Sequence, residues 1–211
     1  MPLVTAGSGV AIGLPQNWPQ LAQGAARGGA NRLPPAGGLR AVVSGSCSLA
    51  TNAQVLHFLR SGRPGFAVDP LALAAGDDVV GQALAWAGRH VTEGPVLVYA
   101  TAEATSVKAV QAQLGAARAG EMVEQALSDI AVGLVERGVR QLVVAGGETS
   151  GAVVRELGVR QMLIGPQIDP GVPWTAVQTP ACKEPLHVAL KSGNFGTDDF
   201  FTKAFVVLAN P

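Results

Sequence analysis

The sequence predicts an α/β fold, a mostly parallel sheet with helices on both faces, three-layered and Rossmann-like, in a single domain over residues 1–211. Three observations carry this expectation. Apolar segments rich in Val, Ile and Leu alternate along the chain with helical patterns. Those apolar segments are nearly continuous rather than alternating, as strands covered on both faces are. A hydrophobic content of 48% with only 5% aromatic requires a core of small aliphatic side chains, which suits closely layered helices and sheet.

Strands are expected at 3–7, 40–45, 65–69, 95–100, 141–145, 161–165 and 186–191. The clearest helix covers 117–137, where Val123, Leu127, Ile130 and Leu134 return at helical spacing and Gly138 supplies the stop. Further helices are expected at 49–61, 77–90, 103–114, 150–157 and 198–207, each opening near Ser, Thr or Asp. The glycine-rich stretch 24–39, with Pro34-Pro35, reads as a surface loop. Because Leu3, Val4 and Thr5 already read as a strand, the chain is expected to begin mid-fold.

Charge narrows the function classes. Fifteen Lys plus Arg balance fifteen Asp plus Glu, so no global field favours nucleic acid or an anionic membrane surface. Any anion site must be local. Cys47 and Cys182 form no CxxC pair, which points away from a disulfide framework or zinc site and toward a reducing, cytoplasmic setting. No apolar run reaches the ~20 residues of a membrane span.

Three segments share one design, in which an apolar strand enters a turn of Gly, Ser and Thr and a helix follows. They are Gly7-Ser8-Gly9, Ser44-Gly45-Ser46-Cys47-Ser48 and Gly146-Gly147-Glu148-Thr149-Ser150-Gly151. Glycine lets a backbone approach a ligand closely, and helix-start amides offer partial positive charge to a phosphate. The competing role of each turn is simple helix capping. In a doubly wound sheet such turns gather at the carboxyl ends of the strands, so together they imply a phosphate-bearing ligand. A fourth segment, Lys191-Ser192-Gly193-Asn194-Phe195-Gly196, follows the last strand; Lys191 either places one positive charge near a phosphate or ends the strand in solvent.

Familiar fingerprints are absent. Lys191-Ser192 follows Leu190 where a P-loop needs Gly, and Gly7-Ser8-Gly9 with Gly13 misses the dinucleotide spacing. Cys47 sits on a strand-to-helix turn, but nothing local pairs His57, His90 or His187 with it, and a cysteine hydrolase is disfavoured. Trp18, Trp86 and Trp174 read as packing residues, and Arg27, Arg32 and Arg40 as a thin surface scatter.

In this order, these segments, with Asp69-Pro70, Gly165-Pro166 and Pro170-Gly171-Val172-Pro173, resemble the C-terminal, nucleotide-binding domain of the four-carbon acid sugar kinase family, which includes 3-oxo-tetronate kinases. The resemblance runs from about Val4 to Phe205. It implies transfer of the terminal phosphate of ATP to a hydroxyl of a sugar acid. Ser44, Gly146, Gly147, Glu148, Thr149 and Gly193 match the family's ATP-contacting positions, with Ser46 and Asn194 as weaker neighbours. A magnesium ion is implied with the nucleotide. Glu148 either orients that metal or a ribose, or is a helix-start acid. The resemblance also implies an N-terminal sugar-binding domain with an Asp-Asp-x-Thr-Gly type motif, which the chain is expected to lack. Asp77-Asp78 is followed by Val79-Val80 and Asp198-Asp199 by Phe200-Phe201, so neither stands in for it. The expected activity is ATP or ADP binding without sugar phosphorylation unless that domain is supplied, with a homodimer plausible. The alternative is a non-catalytic, nucleotide- or phosphometabolite-binding regulatory protein.

Overall fold

A computed structural model of the chain describes residues 32–209. The strand expected at 3–7, Gly7-Ser8-Gly9, Trp18, Arg27 and the first part of the glycine-rich loop lie outside the described residues. Within them the chain forms, in order, β1 (Leu39–Ser44), α1 (Leu49–Arg60), β2 (Gly65–Ala67), α2 (Pro70–Ala75), α3 (Val79–His90), β3 (Val96–Tyr99), α4 (Ala104–Leu114) and α5 (Ala116–Glu136). The second half adds β4 (Val139–Ala145), α6 (Gly147–Glu156), β5 (Met162–Asp169), β6 (Val172–Thr179), β7 (Cys182–Lys191) and α7 (Phe200–Ala209).

All seven strands join one sheet in the order β2-β3-β1-β4-β7-β6-β5. β2, β3, β1, β4 and β7 run parallel, and β6 then pairs antiparallel with both β7 and β5. Along β1 the side chains divide between two cores, which explains the unbroken apolar run. Ala41 and Val43 join Leu127, Ile130, Leu134 and Val153 on the face covered by α3, α5 and α6. Val42 joins Val55, Phe58, Phe201 and Phe205 on the face covered by α1 and α7. The expected three-layer α/β architecture is therefore the architecture found.

Helix starts follow local chemistry in part. Ser48 caps α1 by accepting the Thr51 amide at 3.1 Å, and Asp69 and Asp78 cap α2 and α3 through the Leu71 and Gly81 amides at 2.8 Å each. α4 and α6 depart from the expected pattern, because Glu103 and Gly146 precede them without any side-chain cap. α6 also begins at Gly147, three residues earlier than Ser150 suggests. Gly146 makes this possible with a φ of +127°, a conformation that side-chain-bearing residues rarely adopt.

β6 and α2 are absent from the sequence-level expectation. Pro170 and Pro173 interrupt the apolar pattern that would mark β6. The Asp169–Val172 pairing nevertheless closes a hairpin, with Gly171 at φ +81°. Trp174 on β6 is fully buried and donates its indole N–H to the Ala204 carbonyl at 2.7 Å, which seats α7 on the sheet. Trp86 packs against Phe66 and His90. Among the described residues, no helix is long and apolar enough to cross a membrane.

Candidate functional site

β1 and β4 are adjacent and parallel, yet they feed helices on opposite faces: α1 lies on the Phe58 side and α6 on the Val153 side. Neighbouring strands whose connections diverge in this way open a crevice at their carboxyl ends, the usual ligand position in an open α/β sheet. The Gly45-Ser46-Cys47-Ser48 turn and the Gly146-Gly147 turn form its two sides.

The turns are closely fitted. The amides of Gly45 and Ser46 donate to the Ala145 carbonyl at 2.9 and 3.2 Å, and the Gly146 amide donates to the Lys191 carbonyl at 2.8 Å. A Cβ on Gly45 would run into Thr149 Oγ1. One on Gly146 would lie 2.9 Å from that oxygen and 3.2 Å from the Ser46 nitrogen, and one on Gly193 would lie 2.6 Å from Ser46 Oγ. Three glycines thus let three strand ends meet at Ser46 and Thr149. The first amides of α6, those of Gly147, Glu148 and Thr149, have no acceptor within their own helix and give the crevice its partial positive charge.

The loop after β7 is held from below. The Gly193 carbonyl accepts from Ser48 Oγ at 2.5 Å, Thr51 Oγ1 at 2.9 Å and Lys191 Nζ at 3.0 Å. Gln54, also buried, donates to the carbonyls of Phe195, Gly196 and Thr197 at 3.0 to 3.1 Å. Asn52 joins the turn after β1 to the turn after β3, donating to the carbonyls of Cys47 and Ala102.

Beside the crevice, on the α4 and α5 side, lies a cleft of about 310 Å³. Val68, Val107, Val110 and Val123 give it apolar walls, while Thr101, Glu124, Glu148 and Thr149 bring polar groups to it. This mixture of an apolar wall with a few polar groups is typical of small-molecule sites. The Glu124 pKa is raised, first by burial and then by the neighbouring Glu148 carboxylate. Cys47 is exposed at the rim. No histidine lines this cleft.

Of the residues singled out from the sequence, Ser46, Gly146, Thr149 and Gly193 meet at the crevice. Gly147 and Glu148 are exposed on the first turn of α6. Ser44 is buried, with its hydroxyl 2.7 Å from Thr101 Oγ1, so it braces the floor rather than facing the opening. Asn194 is exposed in the turn after β7. Lys191 is fully buried, so the strand does not end in solvent there. Sequence reasoning missed Thr51, Gln54, Thr101 and Glu124. Position gives a signal for Thr101, just past a predicted strand, whereas Glu124 reads as one more charge on an amphipathic helix.

The model of the nucleotide-binding C-terminal domain family matches residues 41–201, which include the turns after β1, β4 and β7. Over 209 residues the chain is 57% identical to the 3-oxo-tetronate kinase of Burkholderia multivorans, covering 99% of this chain and 47% of that protein. It is 56% identical over 209 residues to the 3-oxo-tetronate kinase of Pseudomonas fluorescens, with the same coverages of 99% and 47%. A crystal structure of a Haemophilus influenzae protein of the DUF1537 family aligns with a TM-score of 0.79 at 37% identity, covering 90% of this chain and 44% of that one. The chain spans about half the length of the curated relatives it matches. With its sheet core and strand-end turns both inside the matched region, the chain belongs to the nucleotide-binding C-terminal domain family, the C-terminal domain of the four-carbon acid sugar kinases.

Proposed function

We propose that the chain supplies the ATP-binding half of a kinase that phosphorylates a hydroxyl of a 3-oxo-tetronate-like, four-carbon sugar acid. The observation that carries this reading is the convergence of the turns after β1, β4 and β7 on Ser46 and Thr149, at positions where a side chain on Gly45, Gly146 or Gly193 would collide. Such a cradle fits a phosphate chain, because the first amides of α6, those of Gly147, Glu148 and Thr149, have no acceptor within their own helix and can approach its oxygens. The neighbouring cleft, with its valine walls, fits the less polar part of a nucleotide.

A magnesium ion would neutralise charge on the transferring phosphate. Among the described residues no group of three or more His, Cys, Asp or Glu forms a metal cage. The ion would be carried mainly by nucleotide phosphates and water. Glu148 and Glu124, neighbours in the cleft, are the carboxylates that fit it. Phosphoryl transfer asks the protein chiefly for positioning and charge stabilisation. The amides at the start of α6 and the Thr149 hydroxyl serve that role here. The sugar acid and its general base belong, in this reading, to a second domain, and the chain alone binds nucleotide without turnover.

Calorimetric titration of the chain with ADP and with ATP plus magnesium tests the first half of this proposal. Addition of the N-terminal domain of a 3-oxo-tetronate kinase in trans, with a four-carbon sugar acid, tests the second. Binding without turnover, followed by turnover in the mixture, is the expected sequence. A folded chain that binds neither nucleotide overturns the reading.

A further inference from the structure

Lys191 ends β7, the neighbour of β4, and its side chain is fully buried. Nζ donates to Thr51 Oγ1 at 2.9 Å, to the Ser192 carbonyl at 3.1 Å and to the Gly193 carbonyl at 3.0 Å. These contacts use the three protons of an ammonium group. Among the described residues no carboxylate pairs with it, since the ion pairs formed by lysine or arginine involve Arg140 and Lys203.

A buried charge without a counter-charge is costly, and the ordinary remedies are pairing or neutralisation. The surroundings of Lys191 supply only neutral acceptors. The same residue also ties two turns of the site together, because its carbonyl holds the Gly146 amide while its ammonium holds the Gly193 carbonyl. Gly193 in turn abuts Ser46. A residue used only for packing would need neither the charge nor these bonds.

We propose that Lys191 is the positioning and charge-balancing residue of the crevice, holding Gly193 against Ser46 and supplying the buried positive charge that an anionic di- or triphosphate neutralises. This inference rests on the nucleotide reading above. The groups packed against Nζ, from α1 and the loop after β7, are hydroxyls and carbonyls. Charged groups on the flanking elements face elsewhere. His57 of α1 lines a separate hollow with Asp198 and Asp199, and Glu148 of α6 lines the cleft. On β4 and β7, Arg140 pairs with Glu184. His187 bonds the Pro34 carbonyl, four residues before Lys191 on the same strand. Burial lowers the Lys191 pKa to about 8, so its charge is present at neutral pH and is lost as the pH rises through that value.

The test is calorimetric titration of the full chain with ADP from about pH 7 to about pH 9.5, for the wild type, Lys191→Met and Lys191→Arg. Wild-type affinity should fall roughly tenfold across that range, as the lysine charge is lost. Lys191→Met should bind about tenfold more weakly at pH 7 and show a flat profile, while Lys191→Arg should keep its affinity at high pH because a guanidinium stays charged. Wild-type affinity and slope in Lys191→Met overturn the proposal, and so does weak binding with an unchanged slope, which would mark a purely structural lysine. If Lys191→Met does not fold, a flat wild-type profile matching Lys191→Arg overturns it equally. Absence of ADP binding by the wild type at every pH removes the nucleotide reading itself, an outcome distinct from binding that ignores pH.

Discussion

The Gly146 amide donates to the Lys191 carbonyl at 2.8 Å, so the turn that opens α6 is anchored on the end of β7 as well as on its own strand. The ligand crevice is therefore set by the pairing of β4 with β7, and substitutions on either strand end should reach it.

Gly146→Val forces a β-branched residue into a φ of +127° and against Thr149 Oγ1. The strain should cost about 1–3 kcal/mol of stability and abolish ADP binding. Thr149→Ala removes a hydroxyl without that strain, so affinity should fall about tenfold while stability drops by no more than about 1 kcal/mol. Titration calorimetry and urea unfolding, run side by side, separate the two effects. Equal binding by both variants and the wild type would place the ligand elsewhere.

Gln54→Leu removes the donor shared by the carbonyls of Phe195, Gly196 and Thr197. Leaving such acceptors unpaired should cost about 1–3 kcal/mol. Hydrogen exchange should quicken at the Phe195 and Gly196 amides while the α5 amides stay protected. Unchanged exchange in that loop would show that Gln54 does not hold it.

Asp169 receives Lys203 Nζ at 2.6 Å and the Thr197 amide at 3.0 Å. Burial acts to raise the Asp169 pKa, but these donors outweigh it and hold the carboxyl below the usual range. A depressed folded-state pKa gives stability that is complete above the unfolded value of about 4 and is lost as the pH falls through the lower folded value. Asp169→Asn should thus cost about 2 kcal/mol at pH 7, and the gap to wild type should narrow as the pH falls below about 4. Thermal unfolding across that range checks it, and a gap independent of pH would sink the ion-pair account.

His187 is fully buried, with Nε2 3.0 Å from the Pro34 carbonyl. Burial lowers its pKa, so the unfolded chain takes up a proton there before the folded one does. Stability should decline as the pH falls below about 6.5, the ordinary histidine value. His187→Gln should flatten that part of the stability profile, and an unaltered slope would assign the decline to other groups.

Much of the fold was legible because its signals are local. The Val123, Leu127, Ile130, Leu134 spacing writes α5 directly, and the unbroken Ala41-Val42-Val43 run reports a strand with a core on each side. β6 was not legible, since Pro170 and Pro173 mask a strand whose buried residues, Val172 and Trp174 on one face and Val177 on the other, find their cover only in the folded chain. α6 began early for a similar reason, because the usable φ at Gly146 depends on contacts with Ser46 and Lys191.

The sequence by itself determined which turns carry glycine and hydroxyl groups, because close backbone approach demands those residues wherever they come to lie. Tertiary structure alone decided that the turns after β1, β4 and β7 meet, that Ser44 faces Thr101 below the opening, that Glu124 stands beside Glu148, and that Lys191 is buried. Each of these depends on strand order and on the face to which a connection runs. Those are settled by packing two cores at once, and no local window of sequence contains that information.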